Sequence, residues 1–251
     1  MNTLPGTTTN GESGRLFVRG GTANETVAFI DGLRVNNFYN ASPNNVPTRS
    51  RFSPFLFKNT FFSAGGYSAE FGDALSSVLS LTSTDIPTET RSDFSLMSVG
   101  LDASHTQKWE DGSLYLQAGG TNLDPYNALI NQRYQWEKGF QSLAATTMLR
   151  QRFSGNDMLK VYANIDRSGF IIHAPNINKA ELDRVDLTNT NSYVNGNYRF
   201  AIGENKTGYV GIAMGENHED INFNDTLVHT HGKDHHLKSY VTFDKGQVAS
   251  K

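Results

Sequence analysis

Cysteine is absent from all 251 residues, which excludes disulfides, thiolate catalysis and cysteine-based metal sites. No stretch of about 18 apolar residues occurs, so no helix of this chain can span a bilayer. Strands are not excluded, because a barrel strand needs only about 9–11 residues of alternating polarity. Neither sign of charge dominates: 22 basic and 25 acidic residues leave a net −3, with no basic stripe for nucleic acid. The opening MNTLPGTTTNGES has neither the basic start nor the apolar core of a signal peptide. Hydrophobic content is 37%, low for a soluble enzyme of this length and suited to strands with one polar face.

What is present is alternation. Thr26–Ile30 reads as a short apolar strand, Asp31-Gly32 as its turn and Leu33-Arg34-Val35 as the returning strand. Pro43, Pro47 and Pro54 punctuate an irregular stretch. Residues 49–85 then carry six of the sixteen Phe, break at Gly65-Gly66, and offer Ser68–Phe71 as one helical turn. From Leu75 onward Leu75, Ser77, Leu79 and Leu81 share one face, and Ser76, Val78, Ser80 and Thr82 the other. Ile86-Pro87 reads as a linker, since proline cannot continue a ladder in a sheet interior.

These motifs resemble one family. Leu4-Pro5-Gly6, then Gly14-Arg15-Leu16-Phe17-Val18-Arg19-Gly20-Gly21, then Ile30-Asp31-Gly32, then GGYSAEFG leading into ALSSVLSLTS, follow in order over residues 4–85. The series resembles the plug domain of TonB-dependent outer-membrane receptors. The resemblance implies a mainly β fold: a small mixed plug domain over 1–86, N-terminally incomplete, then the first strands of a large antiparallel transmembrane β-barrel over 87–251, C-terminally incomplete.

Beyond Pro87 the texture itself suits that architecture. Ser95–His105, Leu114–Ala118, Leu143–Phe153, Leu159–Ile165, Val194–Phe200, Val210–Met214 and Leu237–Phe243 read as about seven strands. Short turns at Glu110–Ser113, Ser154–Asp157 and Gly203–Asn205 alternate with long connections at 122–139, 169–188 and 215–234. A transmembrane barrel has this rhythm, whereas a soluble sandwich has shorter strands and no asymmetry between its ends. Leu114, Leu116, Leu143, Leu149, Val161, Ile165, Val210 and Ile212 are expected on the outer face, and Arg150, Arg152, Lys160 and Arg199 on the concave one. A plugged barrel has about 22 strands, so the chain reads as an internal fragment.

Catalytic signatures are missing: there is no G-x-S-x-G elbow, no HExxH and no phosphate loop at Gly20–Glu25. The acidic pairs Glu110-Asp111 and Glu219-Asp220 sit on turns or loops without a cleft. Five of seven histidines fall between residues 218 and 236; the spacing argues for a solvated loop and against a metal site, because His235 and His236 point to opposite faces of a strand.

Val35–Asn45 mixes aromatics with amides, as a site for an oriented polar ligand does; contact with a polar barrel wall would need the same mix. The resemblance implies that the loops carrying Asn24 and Asn37, Phe38, Tyr39 and Asn40 line an outward substrate pocket. It further implies a non-enzymatic, cofactor-free receptor in the cell outer membrane. Such a receptor takes up a metal chelate, cobalamin or oligosaccharide, is surrounded by outer-membrane lipid, and is driven by a TonB-type inner-membrane partner through a segment preceding Leu4. The alternatives are a passive or structural outer-membrane barrel and a soluble β-sandwich binding module.

Overall fold

The computed structural model describes residues 6–8, 15–41, 50–68, 70–130, 135–155, 157–176, 179, 181–245 and 248–250. Leu4, Pro5, Gly14, Pro43 and Pro47 of the motifs above lie outside the described residues.

Two small sheets form first. β1 (Thr7–Thr8) pairs with β2 (Phe17–Val18), and β3 (Thr26–Ile30), β4 (Leu33–Val35), β5 (Phe57–Ser63) and β6 (Ser77–Ser83) make a mixed sheet in the order β4-β3-β6-β5. The β3–β4 hairpin turns on Asp31 and Gly32, both with positive φ (52° and 86°), the twist a two-residue hairpin requires. β3 lies parallel to β6 and is buried along nearly its whole length, which explains the unbroken apolar run Val27–Ile30. β6 starts at Ser77, leaving Leu75 exposed, and the Phe71 N–H donates to the Ser68 carbonyl (3.0 Å).

The rest is one antiparallel sheet of nine consecutive strands. They are β7 (Arg91–Met97), β8 (Gly100–Trp109), β9 (Gly112–Asn122), β10 (Gln135–Arg152), β11 (Met158–Pro175), β12 (Leu182–Ala201), β13 (Lys206–Phe223), β14 (Thr226–Lys245) and β15 (Val248–Ser250). A short helix, α1 (Asp124–Leu129), bridges β9 to β10. No helix among the described residues is long and apolar enough to cross a membrane, which says nothing of strands.

Four expectations are corrected. The single strand at Ser95–His105 is a hairpin turning at Ser98-Val99. The connection at 122–139 contains α1 and the start of β10, that at 169–188 shrinks to the residues between Pro175 and Leu182, and the histidine-rich 215–234 is a continuous hairpin turning on Asn224-Asp225. In 215–234 both faces carry polar residues, and in 169–188 the apolar Phe170, Ile172, Val185 and Leu187 stand among polar neighbours without a sustained alternation, so the period of two fades while the backbone ladder continues.

The small mixed sheet sits on one face of the large one. Leu16, Val18, Ile30, Leu33, Leu79 and Leu81 form a single apolar cluster with Met148, Tyr162, Tyr193 and Ala213 of β10 to β13. Each such side chain contributes about 1.5–3 kcal/mol on burial, so neither sheet completes its core alone. The opposite face of the large sheet presents Leu143 (70% exposed), Ile165, Val210, Ile212 and Leu237 (74%). An apolar surface so extensive is foreign to a soluble monomer and consistent with part of a barrel.

Candidate functional site

The hairpin β3–β4 delivers a loop, Asn36–Ala41, against the inner face of the large sheet. Asn37 turns the chain with φ of 50°, a conformation asparagine tolerates better than most residues, and is exposed. Phe38 is buried, stacked on Phe52 at 5.4 Å and edge-on to Tyr39 at 5.1 Å. The Tyr39 hydroxyl accepts the Leu16 N–H at 3.2 Å, and burial pushes the phenol up to about 12, against the lowering effects of that bond and of Arg15. Asn40 is half-buried. Ala41 packs on Phe170, Ile172, Val185 and Leu187, beside Trp136 and Phe140. Asn24 occupies a separate turn, Ala23–Glu25, closed by a capping box between Thr22 and Glu25. Asn37 to Asn40 are thus together on one loop, and Asn24 is on another.

Sequence reasoning did not identify Trp136, which falls in the stretch read as a polar connection. Its indole lies edge-on to Phe170 at 5.9 Å. Nor did it identify Arg51, the residue that fixes this loop. The Arg51 guanidinium donates to the Asn37 carbonyl (2.7 Å), to Asp166 Oδ1 (2.6 Å) and to Asn164 Oδ1 (3.3 Å). Asp166 accepts a second bond from Asn191 at 3.0 Å, and Asn217 donates to Asn191 at 2.7 Å. The Arg51 and Asp166 side chains are 1% and 5% exposed. Burial lowers the Arg51 pKa, and the Asp166 charge opposes the fall. Only a run of three strands in register could have revealed this network.

At the opposite end of the strands a second seam holds the Asp31-Gly32 turn. Tyr209 donates to the Asp31 carbonyl (2.7 Å), while Lys238 donates to the carbonyls of Gly32 (3.2 Å) and Glu70 (3.3 Å). The Lys238 ammonium lies 5.6–5.9 Å from the rings of Phe71, Tyr240 and Phe29, within cation–π range. Arg150 donates to the Thr84 carbonyl, and Lys160 to the Ser83 carbonyl at 3.3 Å. Arg150 and Lys160 therefore face inward, as expected. A cavity of about 1040 Å³ opens beside this seam, lined by Asp31, Lys58, Glu70, Arg152, Lys160 and Arg199 among others. Burial alone would raise the Asp85 carboxyl at its edge; the Lys58 hydrogen bond and the nearby Lys160 charge outweigh this and hold it below the ordinary carboxylate range.

The loop and the turn are thus tied to the large sheet by hydrogen bonds, an ion pair and ring contacts. No protein-family model and no curated protein sequence matches the chain. A solved structure does, the ferric enterobactin receptor of Pseudomonas aeruginosa, in a mutant form. It superposes with a TM-score of 0.54 over 96% of this chain and 42% of that one, at 12% identity. The chain therefore spans less than half the length of this receptor, and the likeness is one of fold: a mainly β chain sharing an architecture with it.

Proposed function

We propose that the chain is the plug and the first barrel strands of a TonB-dependent outer-membrane receptor, taking up a scarce nutrient against leakage. One observation carries this most: a compact unit is seated on the polar face of a sheet whose other face is apolar. A wide barrel would leak, and a folded unit bonded across β10 to β14 closes it. Substrate arriving on the Asn36–Ala41 side must then be coupled to displacement of that unit. The charged cavity beside Asp31 leaves polar groups, rather than apolar packing, along that side of the unit.

Within this proposal Asn37 and Asn40 supply amide contacts to substrate, and Tyr39 and Phe38 hold the loop that presents them. The substrate is a metal chelate, cobalamin or an oligosaccharide. The test is uptake at limiting substrate by cells carrying the intact gene, with and without the inner-membrane energiser. Uptake that is saturable and lost without the energiser supports the proposal. Uptake that is linear in concentration and indifferent to the energiser would make the protein a passive barrel.

A further inference from the structure

The β13–β14 hairpin carries a constellation that the transport proposal does not use. His218 stands directly opposite His231, and Glu216 directly opposite Lys233. The alternation that turns Tyr209 and Ala213 inward turns Glu216 and His218 outward, away from the small sheet. His231 Nε2 lies 2.9 Å and His218 Nε2 3.2 Å from the same atom, Glu216 Oε1. The two imidazoles stack at 4.1 Å with 14° between their planes, and the donor atoms of all three residues lie within 4.8 Å of one another. The three side chains are between 38% and 55% exposed, so solvent and ions reach them.

We propose that Glu216, His218 and His231 form a site for a divalent transition metal of the zinc or copper class, clipping β13 to β14 on the outward face. The donor set selects that class: imidazole nitrogen suits zinc, copper and nickel, whereas calcium and magnesium take oxygen shells. The scale fits as well. Bonds of about 2.0–2.2 Å to a tetrahedral zinc place neighbouring ligand atoms about 3.3 Å apart. The two N···O distances lie close to this. The imidazoles must rotate out of their stack for their lone pairs to converge, which half-exposed side chains can do on a fixed backbone. Water completes the coordination, as at sites with three protein ligands.

Lys233 lies 3.3 Å from the same Glu216 oxygen, and its side chain, 60% exposed, is free to swing aside when a metal takes that oxygen. One step further along the same face Asp220 Oδ1 accepts from His229 Nδ1, a second carboxylate–imidazole pair within the same ladder. His235 and His236 take no part. They alternate, His236 facing inward to accept the Arg34 N–H at 3.1 Å. The donors are invisible to spacing rules because they come from facing strands and meet only through the register set by Asn224-Asp225.

The experiment is isothermal titration of zinc ion into the untagged, purified protein in detergent micelles, repeated with calcium ion. One equivalent of zinc should bind and calcium should not compete. His218→Ala and His231→Ala should each weaken binding by more than about tenfold, Glu216→Gln should weaken it too, and His235→Ala should leave it unchanged. In the unsubstituted protein, zinc should protect His218 and His231 from diethyl pyrocarbonate, a readout that requires no variant to fold. No stoichiometric zinc binding would overturn the proposal. So would binding that survives both histidine substitutions, or protection confined to His229, His235 or His236.

Discussion

The two faces of the nine-stranded sheet invert the usual distribution of polarity. On β11, Tyr162, Asn164 and Asp166 are buried under the small sheet, while Ile165 between them is 55% exposed. In water the exposed apolar face would be a large liability, and the buried polar one a standing cost unless every group found a partner. The difference teaches that the two faces answer to different surroundings. Among the described residues nothing apolar covers the outward face, whereas the inward face has polar partners, chief among them Arg51 and the backbone carbonyls of the Asp31-Gly32 turn.

The largest break in that contrast is expected at Arg51. Arg51→Ala leaves Asp166 buried and unpaired, which costs about 3–5 kcal/mol, and a matched Arg51→Met, Asp166→Leu pair should recover much of it. Denaturant unfolding in micelles checks both. On the outward face, Ile165→Arg should cost about 2–4 kcal/mol in a bilayer, and Leu227→Arg, beside the Asn224-Asp225 turn, about 0–1 kcal/mol. Equal costs at the two positions would remove the distinction between belt and rim.

A smaller effect belongs to Tyr39. Tyr39→Phe removes the acceptor for the Leu16 N–H and should cost about 1 kcal/mol. Its pH signature is specific. The folded-state phenol is raised to about 12 from an ordinary value of 10.0, so its contribution is complete below pH 10.0 and is lost as pH climbs toward 12. Stability measured across that window should fall less steeply in Tyr39→Phe. The smallest effect should be at Arg91, whose pair with Asp93 resembles Arg51–Asp166 in chemistry but is 66% and 51% exposed. Arg91→Ala should change stability by less than about 0.5 kcal/mol, and a larger loss would show that geometry outweighs exposure.

Parts of this organisation were legible in the sequence because they obey short-range rules. The β3–β4 hairpin follows from an apolar run beside Asp-Gly, and the facing of Ile165 against Lys160 follows from a period of two. The upper halves of β11 to β14 were not legible. Outward residues there are Arg167, Arg184, Glu216 and His229, polar like their inward neighbours Asn189 and Asn217, so strand and loop read alike. Within the candidate seam, Asn37 to Asn40 could be singled out by composition. Arg51 and Trp136 could not, since their roles depend on partners 115 and 34 residues away, Asp166 and Phe170.

The absence of cysteine permits the most direct measurement: single cysteines placed in turn from Leu159 to Asp166, spin-labelled in lipid vesicles. Collisions with oxygen, which concentrates in lipid, should be frequent at Leu159, Val161, Ala163 and Ile165 and rare at Lys160, Tyr162, Asn164 and Asp166. A water-soluble nickel chelate should reach none of the first four. A profile without a period of two, or one in which the even-numbered positions face lipid, would contradict the assignment of the outward face to the membrane.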